Sequence, residues 1–177
     1  MILHLQQLQN VEHVRVDFDG QQCDFPKDAG KIRQPVHLEA RVRKVGVEVT
    51  ITGRISTQIE VECSRCLKPH AEILDERFEV IYFPQPGISE HVDELELTEG
   101  ELDCSYYEDD TISLPDMARD QLLLMIPVKP LCGSECAGLC PSCGKDLNAG
   151  PCDCVSQVGD SRFAVLGQLL RNQTPLQ

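Results

Sequence analysis

Tryptophan is absent from this 177-residue chain, and five phenylalanines and three tyrosines make up its aromatic content. Sequence-specific reading of unpaired nucleic acid relies on aromatic platforms, so that mode of binding is not expected. Positive charge is also scarce. Sixteen Lys and Arg face twenty-nine Asp and Glu, for a net charge of -13 and a pI near 4.7. That balance excludes a protein that coats nucleic acid through bulk positive charge, but it leaves room for a local basic face.

No stretch approaches the roughly 20 apolar residues of a membrane span. The opening MILHLQQLQN lacks the basic region and cleavage site of a secretory signal. A soluble, cytoplasmic protein is expected. Catalytic signatures are missing too. Gly138 to Gly144-Lys145 has the wrong spacing for a P-loop, and Asp146 stands where Ser or Thr belongs. Neither G-x-G-x-x-G nor G-x-S-x-G occurs, and His4, His13, His37, His70 and His91 are scattered. Nothing assembles a nucleophile, a base and an orienting acid, so no enzyme is expected.

What the chain does have is strand periodicity. Apolar residues alternate over Val11–Phe18 (Val14, Val16 and Phe18 inward) and over Val36–Val42. After Lys44 the phase restarts with Val45, Val47, Val49 and Ile51, and after Gly53 with Ile55, Ile59 and Val61. A further strand is expected from Ile73 to Phe83, with Leu74, Phe78, Val80 and Tyr82 on one face. A helix follows Ser113, which can cap it, with Pro115 in the first turn and Asp116 completing an S-x-x-D box. Met117, Leu122, Leu123, Leu124 and Ile126 form its apolar face, and Pro127 ends it. A last helix is expected from Asp160 or Ser161 to Arg171, burying Phe163, Leu166 and Leu170.

Together these patterns predict an α+β fold, an antiparallel β-sheet or partly open barrel with two or three helices; the spaced cysteines from Cys132 to Cys154 add a zinc-stabilised C-terminal segment. The organisation reads as a strand-rich domain over 1–88, an acidic loop over 89–110, and a helix, cysteine-rich segment and final helix over 111–177. The loop holds ten acids and no Lys or Arg, so most of the net charge sits there. It is a solvated segment or a contact for a basic partner.

The ten cysteines are the main chemical feature. Eight form four short pairs: Cys63/Cys66, Cys132/Cys136, Cys140/Cys143 and Cys152/Cys154. In a reducing compartment such pairs point to metal or redox chemistry. Four thiolates around one zinc ion, given as two pairs, make a closed structural site, and four pairs make two sites. Cys140/Cys143 with Cys152/Cys154 is the favoured pairing, because eight residues separate Cys143 from Cys152 and closure costs little entropy. Cys63/Cys66 then joins Cys132/Cys136. A single-zinc or mixed arrangement stays open, and so does a thiol-disulfide or metal-transfer role for Cys63 and Cys66. That role is weakened by Leu67-Lys68-Pro69, which promises no helix to activate a thiol. His70 lies near Cys66 but is not expected to be a ligand, and Cys23 and Cys104 read as ordinary thiols.

One basic stretch survives the acidic total. Arg41, Arg43, Lys44 and Arg54 form a candidate RNA-binding face, with Arg41 and Arg43 on the polar side of one strand. An ordinary solvated sheet face is the competing reading.

The runs I-E-V-E-C-S-R-C-L-K-P, L-P-D-M-A-R-D-Q-L-L-L-M-I-P-V-K-P-L-C, C-A-G-L-C-P-S-C-G-K-D-L-N and C-D-C resemble the YceD family, the large ribosomal RNA subunit accumulation proteins. The resemblance covers about 35 to 171. It puts the family's C-x-R-C on Cys63, Arg65 and Cys66, and its distal cysteine block on Cys132, Cys136, Cys140, Cys143, Cys152 and Cys154. It implies a non-enzymatic factor for 23S ribosomal RNA accumulation and large-subunit biogenesis. Expected partners are large-subunit ribosomal RNA, a basic large-subunit ribosomal protein, or both, with no membrane and no small-molecule substrate.

Overall fold

Alternation of β-branched residues with polar ones drives most of the backbone into strands. The structure, a computed structural model, describes residues 1–8, 10–85 and 104–154. Within them the chain forms β1 (Ile2–His4), β2 (Val11–Phe18), β3 (Lys31–Ile32), β4 (Val36–Val45), β5 (Glu48–Glu62), β6 (Pro69–Pro84), β7 (Cys104–Tyr107) and β8 (Thr111–Ser113). One α-helix, α1 (Leu114–Met125), and a 3-10 turn at Leu147–Ala149 complete the elements.

The main sheet has the order β2-β4-β5-β6-β7, with β3 pairing to the end of β5 that β4 does not reach. β1 and β8 form a separate antiparallel pair. Inward residues of β4 (Val36, Leu38, Ala40, Val42) and β5 (Val49, Ile51, Ile55, Ile59, Val61) are buried. They meet Leu114, Met117, Ala118 and Leu122 of α1 in one core. Burying each large aliphatic side chain contributes about 1.5–3 kcal/mol, so this two-layer contact is the main source of stability. Cys23 also lies in the core, and burial pushes its thiol up.

Several expectations need correction. Among the described residues the protein is mostly β with a single α-helix, not an α+β fold with two or three helices. The chain after Pro127 takes turns rather than α-helix through Cys154, because its few apolar residues have no helical period and its cysteines set its path. The helix expected near 160–171 lies outside the described residues. The sheet is also not purely antiparallel, since β6 and β7 run parallel, with Ile81 beside Cys104 and Phe83 beside Tyr106.

Gly53 does not end a strand. β5 runs through it without a break in register, between Ala40 and Phe78. A Cβ there would strike the Glu39 carbonyl oxygen and the Ala40 Cα. Glycine thus permits the close approach of β4 to β5. Val45 and Val47 are both 60% exposed, because Val45 borders the two-residue turn of the β4–β5 hairpin and Val47 belongs to it, beside Gly46 with φ 62°. On α1, Leu124 is 80% exposed. Two residues past Leu122 is about 200° around a helix, which places Leu124 on the opposite side.

The helix start follows expectation. Ser113 Oγ accepts from the Asp116 N–H at 3.4 Å, and Pro115 occupies the first turn. No helix among the described residues is long and apolar enough to cross a membrane.

Candidate metal centres

β5 leads into Cys63, and the chain reverses through Cys63-Ser64-Arg65-Cys66 before β6 begins. The reversal is held by two backbone bonds, Cys63 N–H to the Lys68 carbonyl and Leu67 N–H to the Cys63 carbonyl, each 2.9 Å. Cys140-Pro141-Ser142-Cys143 repeats the device: Cys140 N–H donates to the Lys145 carbonyl at 2.8 Å and Gly144 N–H to the Cys140 carbonyl at 2.9 Å. The residue after the second cysteine is left-handed in both, with φ 73° at Gly144 and φ 58° at Leu67. Two unrelated stretches of chain thus make the same knuckle.

Each knuckle meets a second pair. Cys63, Cys66, Cys132 and Cys136 form centre 1, and Cys140, Cys143, Cys152 and Cys154 form centre 2; within each, all sulfurs lie inside 4.8 Å of one another. This is the pairing favoured from loop closure, and it brings all eight expected ligands into two groups. His70 joins neither group. In centre 1 the Cys63–Cys136 and Cys66–Cys132 Sγ distances are 3.8 and 3.7 Å. Four sulfurs bound tetrahedrally at about 2.3 Å from a zinc ion sit about 3.8 Å apart, whereas a disulfide needs about 2.05 Å. The donor set and its spacing therefore fit a thiophilic ion. Either group could hold one.

The electrostatics fit as well. Amide hydrogen bonds from Cys132, Cys66 and Arg65 draw the Cys63 thiol down to about 5. Shared thiol hydrogen bonds with Cys136, Cys66 and Cys63 push Cys132 up to about 12. In centre 2 the Cys143 and Ser142 amides bring Cys140 to about 6, while hydrogen bonding with Cys143, then burial, pushes Cys154 to about 12. Four thiolates repel one another, so some keep their protons until a cation is present.

Four side chains that carried no role in the sequence reading, or only a motif position, lock the centres together. Arg65 Nη1 donates to the Cys136 carbonyl at 2.8 Å and to the Ser134 carbonyl at 3.3 Å. Asn148 Oδ1 accepts from Ala137 N–H at 2.8 Å, and its Nδ2 donates to Cys136 Sγ at 3.4 Å. That contact is the first cause of the lowered Cys136 thiol. Asp146 accepts from Asn148 and pairs with Lys68 at 2.5 Å, which raises the lysine and lowers the carboxyl. The available signal was the K-D-L-N that follows the second knuckle. Asp and Asn there form a side-chain-supported turn.

The candidate basic residues separate. Arg41 and Arg43 are exposed on the outer face of β4, and among the described residues they make no ion pair. Arg54 shares that face but is held by Asp75 through two bonds of 2.5 and 2.6 Å. Lys44 turns away and donates to the Leu5 carbonyl at 2.9 Å. Four residues expected to act together thus reduce to two free guanidinia, one paired one, and a lysine spent on structure.

Comparison with known proteins follows the same residues. No solved structure matches. An uncharacterized protein of Mycobacterium tuberculosis is 31% identical over 134 residues, 75% of this chain and 61% of that protein. The chain therefore spans under two thirds of the length of its mycobacterial relatives. A Bacillus subtilis protein, also uncharacterized, is 30% identical over 138 residues, 77% of this chain and 75% of that one. The chloroplastic large ribosomal RNA subunit accumulation protein YCED homolog 1 of Arabidopsis thaliana is 27% identical over 156 residues, 76% of this chain and 48% of that protein. Residues 51–170, which include every cysteine of both centres, match the family described as large ribosomal RNA subunit accumulation protein YceD, and the chain belongs to that family.

Proposed function

We propose that this chain is a non-enzymatic factor, folded around two structural zinc ions, that supports accumulation of 23S ribosomal RNA and large-subunit biogenesis by direct contact with that RNA. The family and the printed name of the Arabidopsis relative support the ribosomal role. The observation that carries the contact is the outer face of β4, where Arg41 and Arg43 stand exposed and unpaired among the described residues. Structural zinc is supported by the closed donor sets. Each group supplies four sulfurs, which leaves no position for water or substrate.

The thiol-disulfide alternative finds little support. Cys63 is fully buried, and the sulfurs sit at coordination spacing rather than bonding distance. Escort of a basic ribosomal protein is the second reading, favoured by the charge of -13. The acidic stretch it would use falls mostly outside the described residues; of 89–110, the described part is β7 and the turn at Asp109 and Asp110.

Capture of the tagged chain from growing cells, with and without ribonuclease, tests the choice. The expected result is large-subunit RNA that is lost on ribonuclease treatment, with no ribosomal protein retained. A basic ribosomal protein that survives the treatment would replace RNA contact with escort. Metal analysis should give about two zinc ions per chain.

A further inference from the structure

The register places an unusual concentration of arginine on the outer face of the main sheet. Side-by-side rows read Arg15–Glu39–Arg54–Arg77, then His13–Arg41–Thr52–Glu79, then Val11–Arg43–Thr50–Ile81. Five of the ten arginines lie on these three rows and none of the six lysines does. Arginine's planar fork matches phosphate oxygens two at a time, which a lysine cannot do.

Two open depressions meet at Thr52. One, of about 410 Å³, is lined by His13, Arg15 and Arg41, and the other, of about 620 Å³, by Arg54, Arg77 and Glu79. They lie on either side of β5, roughly 10 Å apart at two strand spacings. Arg15 and Arg54 are steadied by Glu39 at 2.9 Å and by Asp75, whereas Arg41 and Arg77 make no ion pair among the described residues. Each depression thus joins one held guanidinium to one free one. No Phe, Tyr or Trp lies on the three rows, where His13 is the one ring; Phe78, which also lines the second depression, packs against the core. Phe83 and Tyr106 share the outer face one row further on, outside both depressions.

From this placement we infer that the face takes paired RNA by its phosphates, and does not read unpaired bases. The inference rests on the RNA-contact reading above and deepens it. An A-form duplex offers ridges of phosphate and ribose that guanidinia can grip without base contact. Unpaired bases would need a run of stacking rings, and the three rows offer His13 alone. The acidic total keeps affinity modest and strongly dependent on salt.

Fluorescence anisotropy with the full chain, a short RNA duplex and one of its separated strands tests this. The duplex is expected to bind at least about tenfold more tightly than the strand. Arg41→Gln with Arg77→Gln should weaken duplex binding by about tenfold or more, and should cut the slope of log affinity against log salt by about 1.8. Metal content and melting should stay unchanged. Phe83→Leu with Tyr106→Leu, checked for folding, should leave duplex binding intact. Tighter binding of the single strand, or loss of binding in the aromatic variant, would overturn the paired-RNA inference and leave RNA contact standing. Unchanged duplex binding in the arginine variant would also overturn it, by moving the surface elsewhere. Failure to bind either RNA would remove both readings.

Discussion

The two sulfur centres share a knuckle and differ in their surroundings. Centre 1 has Cys63, Cys66 and Cys136 buried, with Leu131 and Leu139 packed against them; in centre 2 Cys140 alone is buried and Cys143 is exposed. Centre 1 also joins distant parts of the chain. Its first pair follows β5, its second follows α1, and the backbone bond from Ser64 N–H to the Pro130 carbonyl at 2.8 Å lies beside it. Centre 2 closes on itself within fifteen residues, 140–154. The same local geometry therefore does two jobs: one centre fastens the tail to the sheet, and the other gives shape to a tail with almost no core.

The comparison makes a ranking. Cys63→Ser should cost on the order of 4 kcal/mol or more, the range of a lost structural metal in a buried setting. Cys143→Ser should release one ion while the sheet still melts near its original temperature. Paired thermal melts and metal analyses check this, and equal losses in the two variants would break the distinction.

Acidification sharpens the same contrast. A thiol drawn below its ordinary value favours the folded state once ionised, and that contribution is lost as pH falls through the folded value. In the metal-free protein Cys140 takes up its proton at about 6 and Cys63 at about 5, so falling pH reaches centre 2 first. With exposure acting in the same direction, centre 2 should give up its ion first. A chromogenic chelator followed through a falling pH series should show two steps, the first assigned by its absence in Cys143→Ser. The reverse process has a matching signature: rebinding should release protons, because Cys132 and Cys154 hold theirs in the metal-free protein.

Smaller effects follow from the residues between the centres. Asn148→Ala removes the bond to Ala137 and the one to Cys136 Sγ, and should cost about 1–2 kcal/mol. It should also speed chelator capture from centre 1, whereas a loss confined to centre 2 would show that Asn148 serves the other site. The smallest change concerns a difference in backbone chemistry at the end of the two knuckles. Leu67 holds a left-handed conformation where the other knuckle has Gly144. Its side chain is 60% exposed and so is not needed for the core. Relief of strain of about 1–2 kcal/mol, partly offset by the greater freedom of glycine in the unfolded chain, should make Leu67→Gly stabilising by up to about 1 kcal/mol. A lower melting temperature would mean that Leu67 makes a contact worth more than the strain.

Much of this was legible without the structure, for local reasons. Alternation from Val36 to Val42 put the right four side chains in the core. Ser113, Pro115 and Asp116 marked a helix start that formed within a residue. Loop length paired the cysteines as the structure groups them. Gly53 misled because a glycine that ends a strand and one that lets two strands approach look the same in a sequence. Leu124 misled because a run of leucines hides which of them faces inward.

By itself, then, the sequence determined what depends on short separations: strand phase, the helix cap, the two knuckles and the donor chemistry of the eight cysteines. Tertiary structure decided what depends on register between strands far apart in the chain. β7 lies parallel to β6, Asp75 claims Arg54 and the Leu5 carbonyl claims Lys44, while Arg15 and Arg77 come onto the face of Arg41. The physical reason is that periodicity and loop closure act over a few residues and leave a trace in composition, whereas a side chain's partner across a sheet is set by the pairing of whole strands.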